Sequence, residues 1–204
     1  MTNLMGKREL NKARKRAEIV DIATRSFFEQ GYAATTMSAI AEELGGSKAT
    51  LWAHFSSKEE LFAAVIDLQV GSFSRDIDEV LTSQTYSVPA LRRLCMRFLE
   101  CLMRDNAVRL FTLILSEGER FPEIREMFYS RGPERVRKCI VKFYATQFNE
   151  TEAERLMQMT VSAISGYRSD VQLRPKRPTK AEQEDFVDCL VDLIASRVNL
   201  IDES

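Results

Sequence analysis

Six polar side chains crowd into a dozen positions of this chain: Ser47, Lys48, Thr50, Trp52, His54 and Lys58. Ser47, Lys48 and Thr50 stand where a short predicted helix begins, and groups of that kind can reach base edges in a major groove. Leu51 and Phe55 recur at i, i+4 and would hold the same helix on its scaffold. Trp52, His54 and Lys58 follow where such a helix would leave the groove. Indole N–H, imidazole and ammonium groups all donate to phosphate oxygens. The helix expected to start at Lys58 would add its positive dipole end.

Catalysis has few routes here. His54 is the single histidine, and a bundle Glu-x-x-His metal motif would need Glu at position 51, which is Leu. There is no Gly-rich phosphate loop. Cys95, Cys101, Cys139 and Cys189 lack a C-x-x-C spacing, which argues against a zinc site. No metal, cofactor or enzymatic activity is therefore expected. Four reduced thiols are the plain reading, with a redox switch as the alternative. Cys95 and Cys101, six apart on one helix, point to different faces and would bridge poorly.

The elements that must position the polar cluster can be read around it. The chain has 204 residues, 45% hydrophobic and 29% charged, which suits a globular fold rather than disorder. With 8 Gly and 5 Pro and no Asn-Gly or Asp-Gly pair, it lacks the turn chemistry of antiparallel sheets. The nearly unbroken apolar run Leu110–Leu115 is far too short to span a bilayer, and the cationic N-terminus has no apolar stretch behind it. A cytoplasmic location is expected.

Ile19, Ile22, Ala23 and Phe27 make one helical stripe ending at Gly31, which suits a left-handed C′ position. Thr35-Thr36 offers an N-cap to a two-turn helix that Gly45-Gly46 should stop. Ser47 can cap the third helix, and Ser57 with Glu60 reads as a capping box opening a helix from Lys58 to about Leu81. Two short helices joined by a glycine turn resemble a helix-turn-helix. Further helical patterns cover about 90–104, 106–117, 122–147, 151–169 and 180–201. Gly132-Pro133 should interrupt the third of these, and Pro89 should sit in the first turn after Ser87. Residues 172–180 are expected as a loop.

Charge is unevenly placed. Net charge is −1, yet residues 1–58 hold nine basic groups against six acidic ones. Lys7, Arg8, Lys12, Arg14, Lys15 and Arg16 form a basic arm with only Glu9 opposing them, which suggests a supplementary contact to a polyanion.

At this point residues 17–66 carry a resemblance. The run from Gly31 to Leu61, with Thr36, Ile40-Ala41, Gly45, Ser47, Leu51, His54-Phe55 and Lys58-Glu59-x-Leu61, resembles the DNA-binding region of the tetracycline-repressor (TetR) family. Phe121-Pro-Glu, Phe128-Tyr and Gly132-Pro are similar to the C-terminal domains of AcrR/AefR-like members. The resemblance implies an all-α fold of about nine helices. A three-helix helix-turn-helix domain at residues 1–60 would precede a ligand-binding and dimerisation domain at 61–204. It implies a homodimeric repressor that binds a palindromic DNA operator and responds to a small inducer. A regulator acting without an inducer is the other alternative.

By position in that pattern, Thr36 is expected on a phosphate, and Ser38, Ser47, Lys48 and Thr50 in the groove. His54 and Lys58 are expected on the backbone. Trp52 stands where the family usually has tyrosine, and it can donate but not accept. For the ligand, soft side chains suggest an apolar pocket drawn from Met96, Leu99, Met103, Phe111, Met127 and Phe128, with Arg168 as its charged member. For the dimer, Phe186, Leu190, Leu193 and Ile194, with Val187, Val191 and Val198, make an apolar face too wide for one helix meeting one surface. Ser162, Ala163, Ser165 and Gly166 would let helices approach closely. The helices near 151–169 and 180–201 are therefore expected to pair with their symmetry mates.

Overall fold

A computed structural model describes residues 6–45, 48–81 and 85–202. Among these the chain is built of ten helices: α1 (Lys7–Ala34), α2 (Met37–Glu43), α3 (Lys48–His54), α4 (Lys58–Leu81), α5 (Val88–Leu102), α6 (Asp105–Glu117), α7 (Pro122–Arg131), α8 (Pro133–Tyr144), α9 (Glu150–Leu173) and α10 (Lys180–Asp202). The all-α expectation holds, with one helix more than the approximate count. Gly132-Pro133 does separate two helices, since proline cannot extend the α7 ladder. The last loop is shorter than expected, because α9 runs on to Leu173.

The chain divides into two compact units. The first takes the chain up to Val70 together with Arg109–Arg131, and the second takes Gly71–Val108 and everything from Gly132. Like the boundary expected after residue 60, this division falls inside α4, though later, at Val70. It also returns most of α6 and all of α7 to the N-terminal unit because Leu110, Leu113, Ile114 and Ile124 complete that unit's core.

In the first unit, the predicted stripe of α1 is buried: Ile19, Ile22, Ala23 and Phe27 face inward with Val20. The earlier residues of α1, 7–18, bury no side chain. Gly31 adopts φ 85°, and this breaks the helical path before the chain reaches α2. Thr36 caps α2, its Oγ1 accepting from Ala39 N–H at 3.2 Å. An aromatic cluster fills the interior behind these turns: Phe62 meets Phe27 and Tyr32 edge-on, each at 4.9 Å between centroids, and Phe121 closes on Tyr32 at 5.1 Å.

In the second unit, α5 buries Leu91, Leu94, Cys95, Phe98 and Leu99 along one stripe. Its start is fixed as expected, by Ser87 accepting from Ala90 N–H and by a proline in the first turn. Asn149 does the same for α9 through Glu152 N–H. Tyr86, Phe143, Tyr144 and Phe148 pack as a second aromatic cluster. Val187, Leu190, Val191 and Ile194 of α10 are buried in this same core. The wide apolar face is thus mostly consumed within one chain, leaving Leu193 at the surface with 70% exposed. The side chain of Val198 lies outside the described residues.

Candidate nucleic-acid interface

Helix α3 is two turns long and one-sided. Leu51 is fully buried, and Phe55 just beyond the helix is almost so. Both enter the core shared with Ile40 and Leu44 of the α2 region. That leaves Lys48, Ala49, Trp52 and Ala53 exposed, with Thr50 and His54 partly covered. Trp52 keeps 51% of its surface in solvent. Thr36 and Ser38 are exposed as well, at the start of α2. The expected Ser47 and the turn residue Gly46 lie outside the described residues.

Two expected phosphate anchors sit differently from the groove-facing set. Lys58 is partly buried: its Nζ lies 4.3 Å from the Tyr32 ring centroid and donates to Ala33 O at 3.4 Å. Burial pulls its pKa down, while the carboxylates of Glu59 and Glu117 pull it back up. His54 turns Nδ1 into the protein, where it finds no hydrogen-bond partner.

The α4 N-terminus, expected as a free dipole end, is largely self-capped. Ser57 Oγ accepts from Glu60 N–H at 3.1 Å, and Glu60 reaches back to Ser56, accepting from its N–H and Oγ at 2.7 Å each. This is the predicted capping box moved back by one residue on its return bond. Those bonds hold the Glu60 carboxyl below its usual pKa, and Glu59 beside it is also lowered. Two carboxylates there weaken the positive end of α4.

Several contacts here were not legible beforehand. Arg16 of α1 lays its guanidinium over the Phe55 ring at 4.6 Å, tying the basic arm to the end of α3. Tyr32 donates its hydroxyl to Glu59 at 3.3 Å, and burial pushes its pKa up. Glu117, the last residue of α6, accepts from the backbone N–H groups of Tyr32 and Ala33 at 2.7 Å each. A residue 85 positions away leaves no local signal.

The expected ligand residues are not gathered in one core. Met127 and Phe128 pack against the core of the first unit, to which Phe111 also belongs by position. Met96, Leu99, Met103 and Arg168 belong to the second. Arg168 is buried, and removal from water lowers its pKa to about 10.

Three N-terminal helices, of which the short third is exposed on one side and packs on the second, define a helix-turn-helix DNA-binding protein. Residues 19–65 match the family described as bacterial regulatory proteins, tetR family, and residues 89–197 match the C-terminal domain of AefR-like transcriptional repressors. The chain belongs to the TetR family of DNA-binding transcriptional regulators. The regulator BetI of Rhizobium meliloti is 30% identical over 74% of this chain and 75% of its own. The activator FasR of Mycolicibacterium smegmatis is 32% identical over 48% of this chain. That match covers only 44% of FasR, and the match to TtgR of Pseudomonas putida 25% of TtgR, so the chain spans less than half of these relatives. Among solved structures, a TetR-family regulator from Mesorhizobium loti superposes with a TM-score of 0.77 at 26% identity, covering 91% of this chain and 96% of that one. The flavonoid-responsive regulator FrrA gives 0.71 at 28%, covering 91% and 97%. Family members are transcriptional regulators, not enzymes, and act as dimers. Among the described residues, no helix is long and apolar enough to cross a membrane.

Proposed function

We propose that this chain is a ligand-released repressor that binds a palindromic operator as a homodimer. The observation that carries the reading is the one-sided α3, with Leu51 buried behind an exposed Lys48 and Trp52. In this reading Ser47, Lys48, Thr50 and Ser38 face bases. Thr36, Trp52 and His54 lie along phosphates with Lys58 beside them, and the cations of the arm add phosphate contacts.

The dimer would form through α9 and α10. Met159, Ser162, Gly166, Ser169 and Leu173 are all exposed and recur at alternating three- and four-residue steps, a seam for a second helix. A Cβ built on Gly166 would meet nothing within 4 Å, so the surface there is open. On α10, Cys189, Leu193 and Ser196 are exposed along a matching line.

The effector would be small and apolar or amphipathic, taken up in the second unit. The similarity to FrrA supports an aromatic ligand, and the similarity to AefR-like repressors supports repression. Reading heads must sit roughly 34–36 Å apart to meet successive grooves. A ligand that favours another dimer geometry must lower DNA affinity by linkage. Helix α4, which contributes residues to both units, is the element through which this would act.

A redox sensor is not favoured. Cys95 and Cys101 are buried, and burial pushes both thiols up to about 12, leaving them poor nucleophiles. The deciding experiment is selection of bound sequences from random duplexes, with analytical ultracentrifugation of wild type and Leu193→Arg. A short palindrome and a dimer lost in the variant are expected. A bound sequence without two-fold symmetry would overturn the reading.

A further inference from the structure

We infer that Glu117 is a positioning residue for DNA recognition: its carboxylate clamps the bend that aims α2 and α3. The inference rests on the DNA-binding reading above. At Gly31 the chain leaves the helical path of α1 with φ 85° and ψ 169°. A bend of this kind frees N–H groups that no residue of the same helix can accept.

Glu117 meets them with one oxygen each, Oε1 on Tyr32 N–H and Oε2 on Ala33 N–H, both at 2.7 Å. The geometry is bidentate and charge-assisted, and it fixes direction as well as distance. The approach is so close that a Cβ at position 31 would lie 2.3 Å from Oε1, so a side chain there would push the carboxylate off the bend as well as strain the backbone at its φ.

Other groups hold the opposite side of the bend. Thr35 Oγ1 donates to Gly31 O at 2.7 Å, with Ser26 O at 3.1 Å, and the Lys58 ammonium covers the Tyr32 ring and Ala33 O. The next residue, Thr36, is the N-cap of α2. Three residues separate the clamped N–H groups from the start of the helix-turn-helix. A change of angle at the bend therefore displaces α3, which packs on α2, without unfolding either helix. Base contacts depend on sub-ångström placement, whereas phosphate attraction does not.

The test uses the full chain with Glu117→Gln, and Glu119→Gln as a control for the same loss of charge on a neighbouring exposed residue. Fluorescence anisotropy is read on the selected duplex and on a scrambled one at equal salt, alongside amide exchange at Tyr32 and Ala33. For E117Q we expect about tenfold weaker binding to the selected duplex, within about twofold of wild type on the scrambled one. Exchange of both amides should rise at least about tenfold, while E119Q stays at wild-type values in every readout.

Should E117Q fail to fold, Glu117→Asp keeps the charge but falls short of the bend by one methylene, and the same selective loss is expected. Equal losses on both duplexes, wild-type affinity of either variant for the selected duplex, or unchanged exchange at Tyr32 and Ala33 would each overturn the inference. A wild-type chain that prefers no duplex overturns the reading above and this role with it. A selective wild type together with a variant that binds the selected duplex as tightly as wild type overturns this role alone.

Discussion

The two units spend their polar side chains differently. In the first, they end backbone ladders: Thr24 and Thr35 donate to carbonyls, and Thr36, Ser57, Glu60 and Glu117 accept from N–H groups. In the second, besides the caps of α5 and α9, polar side chains also meet one another. Tyr144 and Thr160 share a hydrogen bond at 2.7 Å with both side chains buried, and Arg137 points an N–H at the sulfur of Met157 at 3.7 Å. Cys101 and Arg104 converge on Asp76, with Arg104 holding the Asp76 carboxyl below its usual pKa. Bonds to backbone fix the direction of a segment. Bonds between hydroxyls, thioethers and long cations can exchange partners. In the reading proposed above, the first set of bonds would hold a helix in place and the second would let a core adapt to a ligand.

The sharpest way to break this contrast is to empty the first core. Phe62→Ala removes a fully buried member of the aromatic cluster and should cost about 3–5 kcal/mol. Trp52 is the single tryptophan and lies in the first unit, so its fluorescence in a urea titration reads the loss. A shift under about 1 kcal/mol would mean the cluster is not the hinge of this unit's stability.

Thiol chemistry examines the second unit. At pH 8 an alkylating reagent should modify Cys95 and Cys101 of the folded chain at least about a thousandfold more slowly than in the urea-unfolded chain, since their thiolates are suppressed by burial. The sign for stability follows from pKa values raised from 9.0 to about 12. The unfolded chain loses these protons first, so their contribution is complete below about pH 9 and declines from there toward pH 12. Rapid labelling of Cys95 at pH 8 would show an open interior.

Next in size is the reading of DNA. Lys48→Ala should lose about 1–3 kcal/mol of preference between selected and random duplexes. Lys58→Ala should instead weaken binding to both duplexes about equally and flatten the salt slope by about one unit. An unchanged slope would take its ammonium off the phosphates. A smaller effect is expected for Tyr144→Phe, about 1 kcal/mol by circular dichroism, because Thr160 keeps its bond to Leu156 O. Smallest of all, Arg25 and Glu43 form an exposed pair, and a double-mutant cycle should find no measurable coupling.

What was legible follows the range of each interaction. Gly31, Thr36, Ser57 with Glu60, Ser87 and Gly132-Pro133 act within a few residues, so spacing reveals them. Leu51 and Phe55 were legible as anchors because helical periodicity is local too. Glu117 was not, as its partners are the N–H groups of a distant bend, and every residue has an N–H. The pocket residues shared a composition but not a core: nothing in a methionine or phenylalanine says which of two interiors it joins. On α10 the pattern showed an apolar face and could not say how much α5 and α9 of the same chain would cover.

The basic arm has one more consequence. Because residues 7–18 are helical, they form a rod about 18 Å long rather than a tether. Its cations sit at set bearings around an axis, like teeth on a key. A single alanine spliced in at position 17 would turn all six by about 100° without altering their number. A floppy tail would not notice the insertion.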